Sequence, residues 1–340
     1  PEITGERTMT VRRRFLAYSA ALALSAAAAG SAFAQSVTLR SADIHPTDYP
    51  TVEAVRYLGK LLEERTQGRV KINVFHSAQL GQEKDTIDQT RFGVIDINRI
   101  NMAPFNNLIP ATNIPSLPFI FRSVDHMRKA MDGPIGDNLL KEFEKHDLIG
   151  LAFYDSGSRS FYNSKRPIKS PDDMKGLKIR TMGLESHKSV VSSVGGQPVA
   201  INWAEVYTSL QTGVADGQMN PIPIVKFAKF DEVQKYLTLT NHAYSALIVV
   251  MNKAKYDALP PAQQKALVEA AREAGAYQRK LNNDNMMKIV GDVKKAGMQV
   301  VESIDSTPFL EATKPGRKTF TDKFGGDNYI KEIDAVRNAK

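Results

Sequence analysis

Cysteine is absent from the chain of 340 residues. Its absence excludes disulfide bonds, catalysis by a thiol and metal sites built on thiolates. The six histidines, at positions 45, 76, 126, 146, 187 and 242, show no metal-ligand spacing, and we expect each at the surface or at a helix end. The sequence therefore predicts no metal ion and no other cofactor.

Motifs of the common enzyme classes are also missing. The chain has no phosphate-binding G-x-x-x-x-G-K, no dinucleotide-binding G-x-G-x-x-G, no H-E-x-x-H and no G-x-S-x-G. A secreted lyase or isomerase that acts on a small carboxylate through His187 and Glu185 is an alternative, but the sequence offers no poised acid–base pair to support it. We therefore expect a non-catalytic protein.

Long apolar runs are confined to the N-terminus. Three arginines at 12–14 precede an apolar run from Phe15 to Ala29, and Ala32-Phe-Ala34 forms a small-residue cleavage site. This pattern predicts a signal peptide over residues 1–34 that is removed on export to the periplasm. An uncleaved peptide that anchors the protein is the alternative. Later in the chain, no run approaches the ~20 apolar residues that span a bilayer.

The chain also lacks segments dominated by charge of one sign. Its net charge is +8, and it becomes +6 without residues 1–34, which hold four arginines and two glutamates. Basic and acidic residues alternate, as in Lys60 to Arg65, which is typical of solvated helices and argues against nucleic acid binding. A mild positive excess is compatible with an anionic ligand.

The order of predicted elements indicates an α/β protein with two lobes. Strand and helix patterns alternate from Val37 to Ile100, which favours a mostly parallel sheet flanked by helices. Residues 155–159 are predicted to cross into a second lobe, and 241–244 to lead back. Pro261 to Gly297 predicts one helix of roughly 54 Å, long enough to span both lobes. We therefore assign 36–156 and 246–281 to lobe I, and 157–245 and 282–340 to lobe II.

A short segment in the second lobe predicts a binding residue. Ser170 to Arg180 has the pattern of a capped helical turn, a glycine turn at Gly176 and a strand that ends on Arg180. Open α/β sheets bind ligands at the carboxyl ends of their strands. The alternative is an exposed arginine in a surface ion pair.

Four segments together resemble one family. They are GSRSFYN at 157–163, PDDMKGLKIR at 171–180, WAEVYTSLQTGVADGQMNP at 203–221 and EVQKYLTLTNH at 232–242. Their order and spacing are similar to those of solute-binding proteins of tripartite ATP-independent periplasmic (TRAP) transporters, and the resemblance covers essentially the whole mature chain. It implies two α/β lobes that close over an organic acid and deliver it to a membrane permease. We expect a monomer.

The resemblance implies a carboxylate site on lobe II. Arg180 matches the family's arginine that makes a bidentate salt bridge to the ligand, and a guanidinium fork suits two carboxylate oxygens. Arg159 matches a second basic contact, and Asn220 an amide on the carboxylate or its neighbour. Trp203 stands where the family often has an aromatic residue against the ligand; ordinary core packing is its alternative. Met219 replaces an acidic residue of the family pattern, which predicts a less negative site edge.

Lobe I supplies three further candidates by the same resemblance. Asp43, Glu83 and Asn101 match positions that bind or line the ligand in sialic-acid-binding relatives, but that subgroup has an acidic residue where this chain has Asn101. The departure argues against sialic acid and favours another hydroxylated monocarboxylate, such as a sugar acid. C4-dicarboxylates, keto acids and aromatic acids remain open. Asp43 and Glu83 have structural alternatives, as a turn residue and as a helix N-terminal acid.

Overall fold

The computed structural model describes residues 36–324 and 327–336. The predicted signal peptide over 1–34 and its cleavage site lie outside the described residues.

The strands in this part of the chain form one mixed sheet. Its spatial order is β2-β1-β3-β8-β4-β7-β5-β6, and β9 pairs with β8. The pairs β1–β2, β1–β3, β5–β6, β5–β7 and β8–β9 are parallel, whereas β3–β8, β4–β7 and β4–β8 are antiparallel. The bounds are β1 Val37–Ala42, β2 Val70–Phe75, β3 Ile97–Asn101, β4 Leu148–Asn163, β5 Lys178–Thr181, β6 Gln197–Ala200, β7 Gly217–Pro221, β8 Tyr236–Asn252 and β9 Gln299–Val301.

Helices cover the sheet on both faces. Their bounds are α1 Pro50–Arg65, α2 Glu83–Arg91, α3 Val124–Met131, α4 Pro134–Glu142, α5 Glu185–Ser193, α6 Val206–Gln211, α7 Ile222–Phe227, α8 Lys253–Asp257, α9 Pro261–Lys295, α10 Thr307–Phe324 and α11 Asp327–Val336. The capped turn predicted before Arg180 is a 3-10 helix over Pro171–Met174, with Ser170 and Asp173 in a reciprocal capping box. None of the helices in these residues is long and apolar enough to cross a membrane.

Two strands, β4 and β8, run through both lobes. The sequence instead predicts that each of them is divided into two shorter strands by a loop at the crossing. β4 and β8 pair on both sides of the crossing, and their register shifts between Asp155 and Ser158. Gly157 has φ +86°, a conformation that glycine adopts without steric cost. The residues that resemble a loop are therefore a β-bulge, which turns the strand without ending it.

The long helix α9 spans both lobes, as predicted. Leu267 and Ala274 pack in an apolar cluster with α1 and β1, whereas Ile289 and Val293 pack in a separate cluster with α6 and α7. Between these two halves, the side chains of Gln278 and Asn282 donate hydrogen bonds to the backbone oxygen of Asp155, each at 2.6 Å. The helix is thus fixed to β4 at the point where the strand crosses between lobes.

The last helix departs from the predicted division, which places 282–340 in lobe II. Ile333 of α11 is buried in the lobe I cluster that contains Phe105 and Ile248. The ring Nε2 of His126 lies 2.7 Å from the backbone oxygen of Ile333. Helix α11 therefore packs on lobe I, because its apolar face fits beside α3 and α4 of that lobe.

Candidate functional site

A cavity of about 310 Å³ lies between the lobes, where the carboxyl ends of β3, β5 and β7 meet the β4 crossing. Six of the seven predicted site residues line it, and Asp43 does not. The lining comprises Ile44, His45, Tyr49, Gln82, Glu83, Lys84, Asp85, Asn101, Pro104, Ser156, Arg159, Arg180, Met182, Ile201, Asn202, Trp203, Asn220, Pro221, Ile224 and Ser245.

Arg180 presents its guanidinium group to this cavity. The residue is only 4% exposed. Its Nε donates to the backbone oxygen of Ile201 at 2.9 Å, while its two terminal nitrogens make no hydrogen bond within the described residues. Burial, and then the charge of Arg159, lower the pKa of Arg180 to about 9. Two parallel donors and an uncompensated positive charge are the features that a carboxylate satisfies.

Arg159 is held in place by other side chains. Its NH1 donates to the backbone oxygen of Met219 and to Oδ1 of Asn220, both at 3.0 Å, and its NH2 donates to Oγ of Ser245 at 2.9 Å. Burial lowers the pKa of Arg159 to about 10. No carboxylate of the described residues forms an ion pair with either Arg159 or Arg180, so two positive charges face one small cavity.

Asn220 and Trp203 complete the lobe II wall. Besides accepting from Arg159, Asn220 donates from its amide nitrogen to Oε1 of Gln218 at 2.6 Å. Met219 lies between Gln218 and Asn220 on β7 and points to the other face of the strand, where it packs with Ile179 in an apolar cluster. It therefore does not form the edge of the site as predicted. Trp203 is half-buried; its ring lies beside Phe230 at a centroid distance of 5.7 Å and also lines the cavity.

Glu83 and Asn101 form a hydrogen-bonded pair on the lobe I wall. Oε1 of Glu83, at the first position of α2, accepts from the backbone nitrogen of Asn101 at 2.9 Å and from its amide nitrogen at 2.6 Å. The sequence predicts Glu83 and Asn101 as independent ligand contacts. In the structure, their hydrogen bonds fix the position of each side chain relative to the other.

Asp43 lies beneath this wall in a buried cluster. Its Oδ2 accepts from Nε of Arg99 at 2.6 Å, and its Oδ1 accepts from NH2 of Arg99 and, at 2.8 Å, from the backbone nitrogen of His45. Burial raises the pKa of Asp43, but the charge and hydrogen bonds of Arg99 outweigh it and the net shift is downward. The structure therefore does not bring Asp43 into contact with the cavity.

The two walls touch, so the structure shows a closed cleft. The ring of His45 contacts that of Trp203 edge-on at 5.2 Å, and Tyr49 contacts Phe227 edge-on at the same centroid distance. The hydroxyl of Tyr49 donates to Oγ of Ser156 at 3.1 Å. His45, Tyr49 and Ser156 also line the cavity, although the sequence does not predict them as site residues. A His-Pro turn directly after a strand end is the signal that could have identified His45.

Four of the six histidines are more buried than predicted. His45 and His242 are buried away from helix ends, contrary to the prediction, and His126 and His187 lie in first helical turns but are also buried.

His187 and Glu185, the two residues of the enzyme alternative, do not form an acid–base pair. Glu185 is exposed and pairs with Lys188, whereas His187 is buried and its pKa is held far below the usual range by burial first. No group of His, Asp and Glu in the described residues could hold a metal ion.

A larger groove of about 1590 Å³ lies on the other side of the β4 crossing, against α10. Its lining contains none of the seven predicted site residues and neither of the two cavity arginines. The smaller cavity is therefore the candidate binding site.

Known proteins match nearly the whole described chain. A family model described as bacterial extracellular solute-binding protein, family 7, matches residues 41–323. The 2,3-diketo-L-gulonate-binding periplasmic protein YiaO of Escherichia coli K12 is 41% identical over 283 residues, which are 82% of this chain and 83% of that protein.

Solved structures give the same result. A TRAP periplasmic solute-binding protein from Polaromonas sp. JS666, bound to D-erythronate, is 37% identical with a TM-score of 0.85, over 89% of this chain and 99% of that one. Another, from Xanthobacter autotrophicus Py2 with bound β-D-galacturonate, is 38% identical with a TM-score of 0.83, over 89% and 100%. The chain therefore belongs to bacterial extracellular solute-binding protein family 7, the solute-binding proteins of TRAP transporters.

Proposed function

We propose that the protein is the periplasmic, non-catalytic component of a TRAP transporter and that its cleft binds a hydroxylated monocarboxylate of the sugar-acid class. The observation that carries this proposal is the buried Arg180, whose two terminal nitrogens have no hydrogen-bond partner among the described residues and which lines a cavity of about 310 Å³. A cavity of this size suits a small ligand. Relatives that bind D-erythronate, β-D-galacturonate and diketogulonate support the ligand class.

The six predicted residues that line the cavity each have a role in this proposal. Arg180 binds the carboxylate through both terminal nitrogens, and Arg159, fixed by Asn220 and Ser245, adds a second positive charge beside it. Trp203 packs against the carbon skeleton. The Glu83–Asn101 pair on the opposite wall offers a carboxylate oxygen and an amide to ligand hydroxyls.

Ligand binding would close the cleft, because the two walls contact the same molecule and the closed state gains that interaction energy. The register shift at 155–158 and the contacts of α9 support a hinge at this crossing. We retain the lobe division proposed from the sequence, with α11 transferred to lobe I. A monomeric, loaded protein in the closed state would then be recognised by the membrane permease.

Mass spectrometry of ligand released from purified protein, followed by calorimetry, tests the proposal. We expect an unaltered sugar acid and direct binding of D-erythronate, D-galacturonate or 2,3-diketo-L-gulonate. Succinate, pyruvate and benzoate are the comparison ligands, one for each open class. Tight binding of one of these alone would overturn the sugar-acid assignment, and conversion of an added acid into a product would favour the enzyme alternative.

A further inference from the structure

The tautomer of His45 is determined by its neighbour. Nδ1 of His45 lies 2.6 Å from NH2 of Arg99. A guanidinium group has only donors, so Nδ1 must accept this hydrogen bond and the ring proton of the neutral imidazole must be on Nε2. Nδ1 is 3.6 Å from Oδ1 of Asp43, which is too long for a hydrogen bond from the ring to that carboxylate.

Asp43 fixes the orientation of Arg99. The two side chains are paired through two contacts, and the backbone nitrogen of His45 donates to the same carboxylate. All three residues are buried. Because the charges of Asp43 and Arg99 compensate each other, the cluster leaves His45 as a neutral ring with a fixed proton position.

The other ring nitrogen is directed toward the cavity. The two nitrogens of an imidazole point to roughly opposite sides of the ring, and the Nδ1 side is occupied by Arg99, which does not line the cavity. His45 does line the cavity, and its Nε2 makes no hydrogen bond within the described residues. Tyr49, at a ring-centroid distance of 4.4 Å, and Trp203 pack against the ring and restrict its rotation.

The geometry points to His45 as a specificity-determining residue, whose Nε2–H donates a hydrogen bond to a hydroxyl oxygen of the ligand, with Asp43 and Arg99 as positioning residues that act through it. This inference rests on the proposed sugar-acid function. Glu83 on the same wall supplies an acceptor, so a ligand hydroxyl can donate to Glu83 and accept from His45. A site built in this way rejects an acid without hydroxyls, because its buried polar groups would be left unpaired.

Two substitutions of His45 test the roles of its two ring nitrogens separately. His45→Asn keeps a polar atom near Nδ1 but loses the donor at Nε2, whereas His45→Gln reaches the Nε2 position. Calorimetry or NMR titration would compare D-erythronate with butanoate, which has the same four-carbon skeleton and no hydroxyl. We expect His45→Asn to lower the preference for erythronate by about 10- to 100-fold and to leave butanoate affinity unchanged. His45→Gln should retain most of the preference. Equal loss of both ligands in His45→Asn, or an unchanged preference, would overturn the inference.

A measurement without ligand distinguishes this inference from the proposed function. Nitrogen-15 NMR of the imidazole should show an unprotonated Nδ1 and a protonated Nε2 in the wild-type protein. Asp43→Asn, which loosens the hold on Arg99, should mix the two tautomers, an effect that a merely structural role would not produce. A protonated Nδ1 in the wild type would overturn the inference even if sugar acids bind. If no sugar acid binds while the expected tautomer is found, it is the proposed ligand class that fails.

Discussion

At the scale of single residues, the site depends on Arg180, whose charge has no ion-pair partner among the described residues. Arg180→Lys keeps the charge but loses the planar fork, so we expect carboxylate affinity to fall by about 1.5–3 kcal/mol with little change in the unfolding midpoint. Isothermal calorimetry measures the loss. Lys178→Gln, at the exposed start of the same strand, is the control. Wild-type affinity in the Arg180→Lys protein would refute the anchor role.

The same residue should lower the stability of the empty protein. Burial depresses the pKa of Arg180 to about 9, which means that the folded protein holds this charge at a cost in free energy. Arg180→Met should therefore abolish carboxylate binding while it raises the thermal unfolding midpoint of the ligand-free protein. A lower midpoint would show that Arg180 makes stabilising interactions in the absence of ligand.

His242 should make the protein less stable in acid. Its ring stacks on Phe161 at 4.3 Å, and burial, followed by the charge of Arg159, lowers its pKa from 6.5 to about 3. Below pH 6.5 the unfolded chain takes up a proton at this histidine and the folded chain does not, so stability falls with pH down to about 3 by up to about 1.4 kcal/mol per pH unit.

Denaturant unfolding at pH 7 and pH 4.5 measures this dependence. His242→Phe keeps the stacking on Phe161 and should reduce the difference in unfolding free energy between the two pH values. His76→Phe, at a partly exposed position, is the matched control. An equal pH dependence in wild type and His242→Phe would contradict the prediction.

The site residues of lobe II could be predicted from the sequence because they lie within short motifs. Arg180, Arg159, Trp203 and Asn220 all fall in such segments, and all four line the cavity. The Asp43–Arg99–His45 cluster was not predicted, because Asp43 and Arg99 are 56 positions apart and meet only because β1 and β3 are neighbours in the sheet. No local pattern carries that information.

At the scale of elements, helix α9 contains two glycines with opposite roles. A Cβ at Gly275 would lie 3.2 Å from the backbone oxygen of Phe153 and 3.3 Å from the ring of Tyr154, whereas a Cβ at Gly291 meets nothing within 4 Å. Gly275 thus permits the close approach of α9 to β4. Gly291→Ala should raise the unfolding free energy by about 0.5–1 kcal/mol through helix propensity, and Gly275→Ala should lower it by about 1–3 kcal/mol through overpacking. Denaturant unfolding of the two variants side by side decides this; stabilisation by both would show that the helix does not need the close contact.

The continuity of β4 and β8 through the crossing could not be predicted either, because it depends on pairing between residues that are distant in the sequence. Ser156, Gly157 and Ser158 have the composition of a loop, and β8 has polar residues at the corresponding point. Whether such a segment is a loop or a bulge within a continuous strand depends on the partner strand, and β4 and β8 pair on both sides of it. The prediction of a crossing was therefore useful, but the interruption of the strands was wrong.

At the scale of the whole molecule, the two-lobed α/β architecture followed from the order of elements, and the long helix followed from its uninterrupted periodicity. Contacts between the lobes had no sequence signal. His45 with Trp203 and Tyr49 with Phe227 join residues that lie more than 150 positions apart. The packing of α11 within lobe I likewise had no sequence signal. These contacts describe one state of a protein whose lobes we propose to move.

That motion predicts a change in overall size. We propose that the hinge is confined to the bulge at 155–158, the facing part of β8 and the segment of α9 near Gln278 and Asn282. Without ligand, closing the cleft removes Arg180 and Arg159 from water with no anion to compensate their charges, which disfavours the closed state. We therefore expect the ligand-free protein in solution to be more open than this structure and a saturating sugar acid to reduce its radius of gyration, with unchanged secondary structure. Small-angle scattering and circular dichroism on the same samples measure both quantities.

The Arg180→Met protein, which lacks the carboxylate anchor, should not compact when the acid is added. An equal radius with and without ligand in the wild type would contradict hinge closure. The binding site would stand in that case, but the permease would have no difference in shape by which to tell a loaded protein from an empty one.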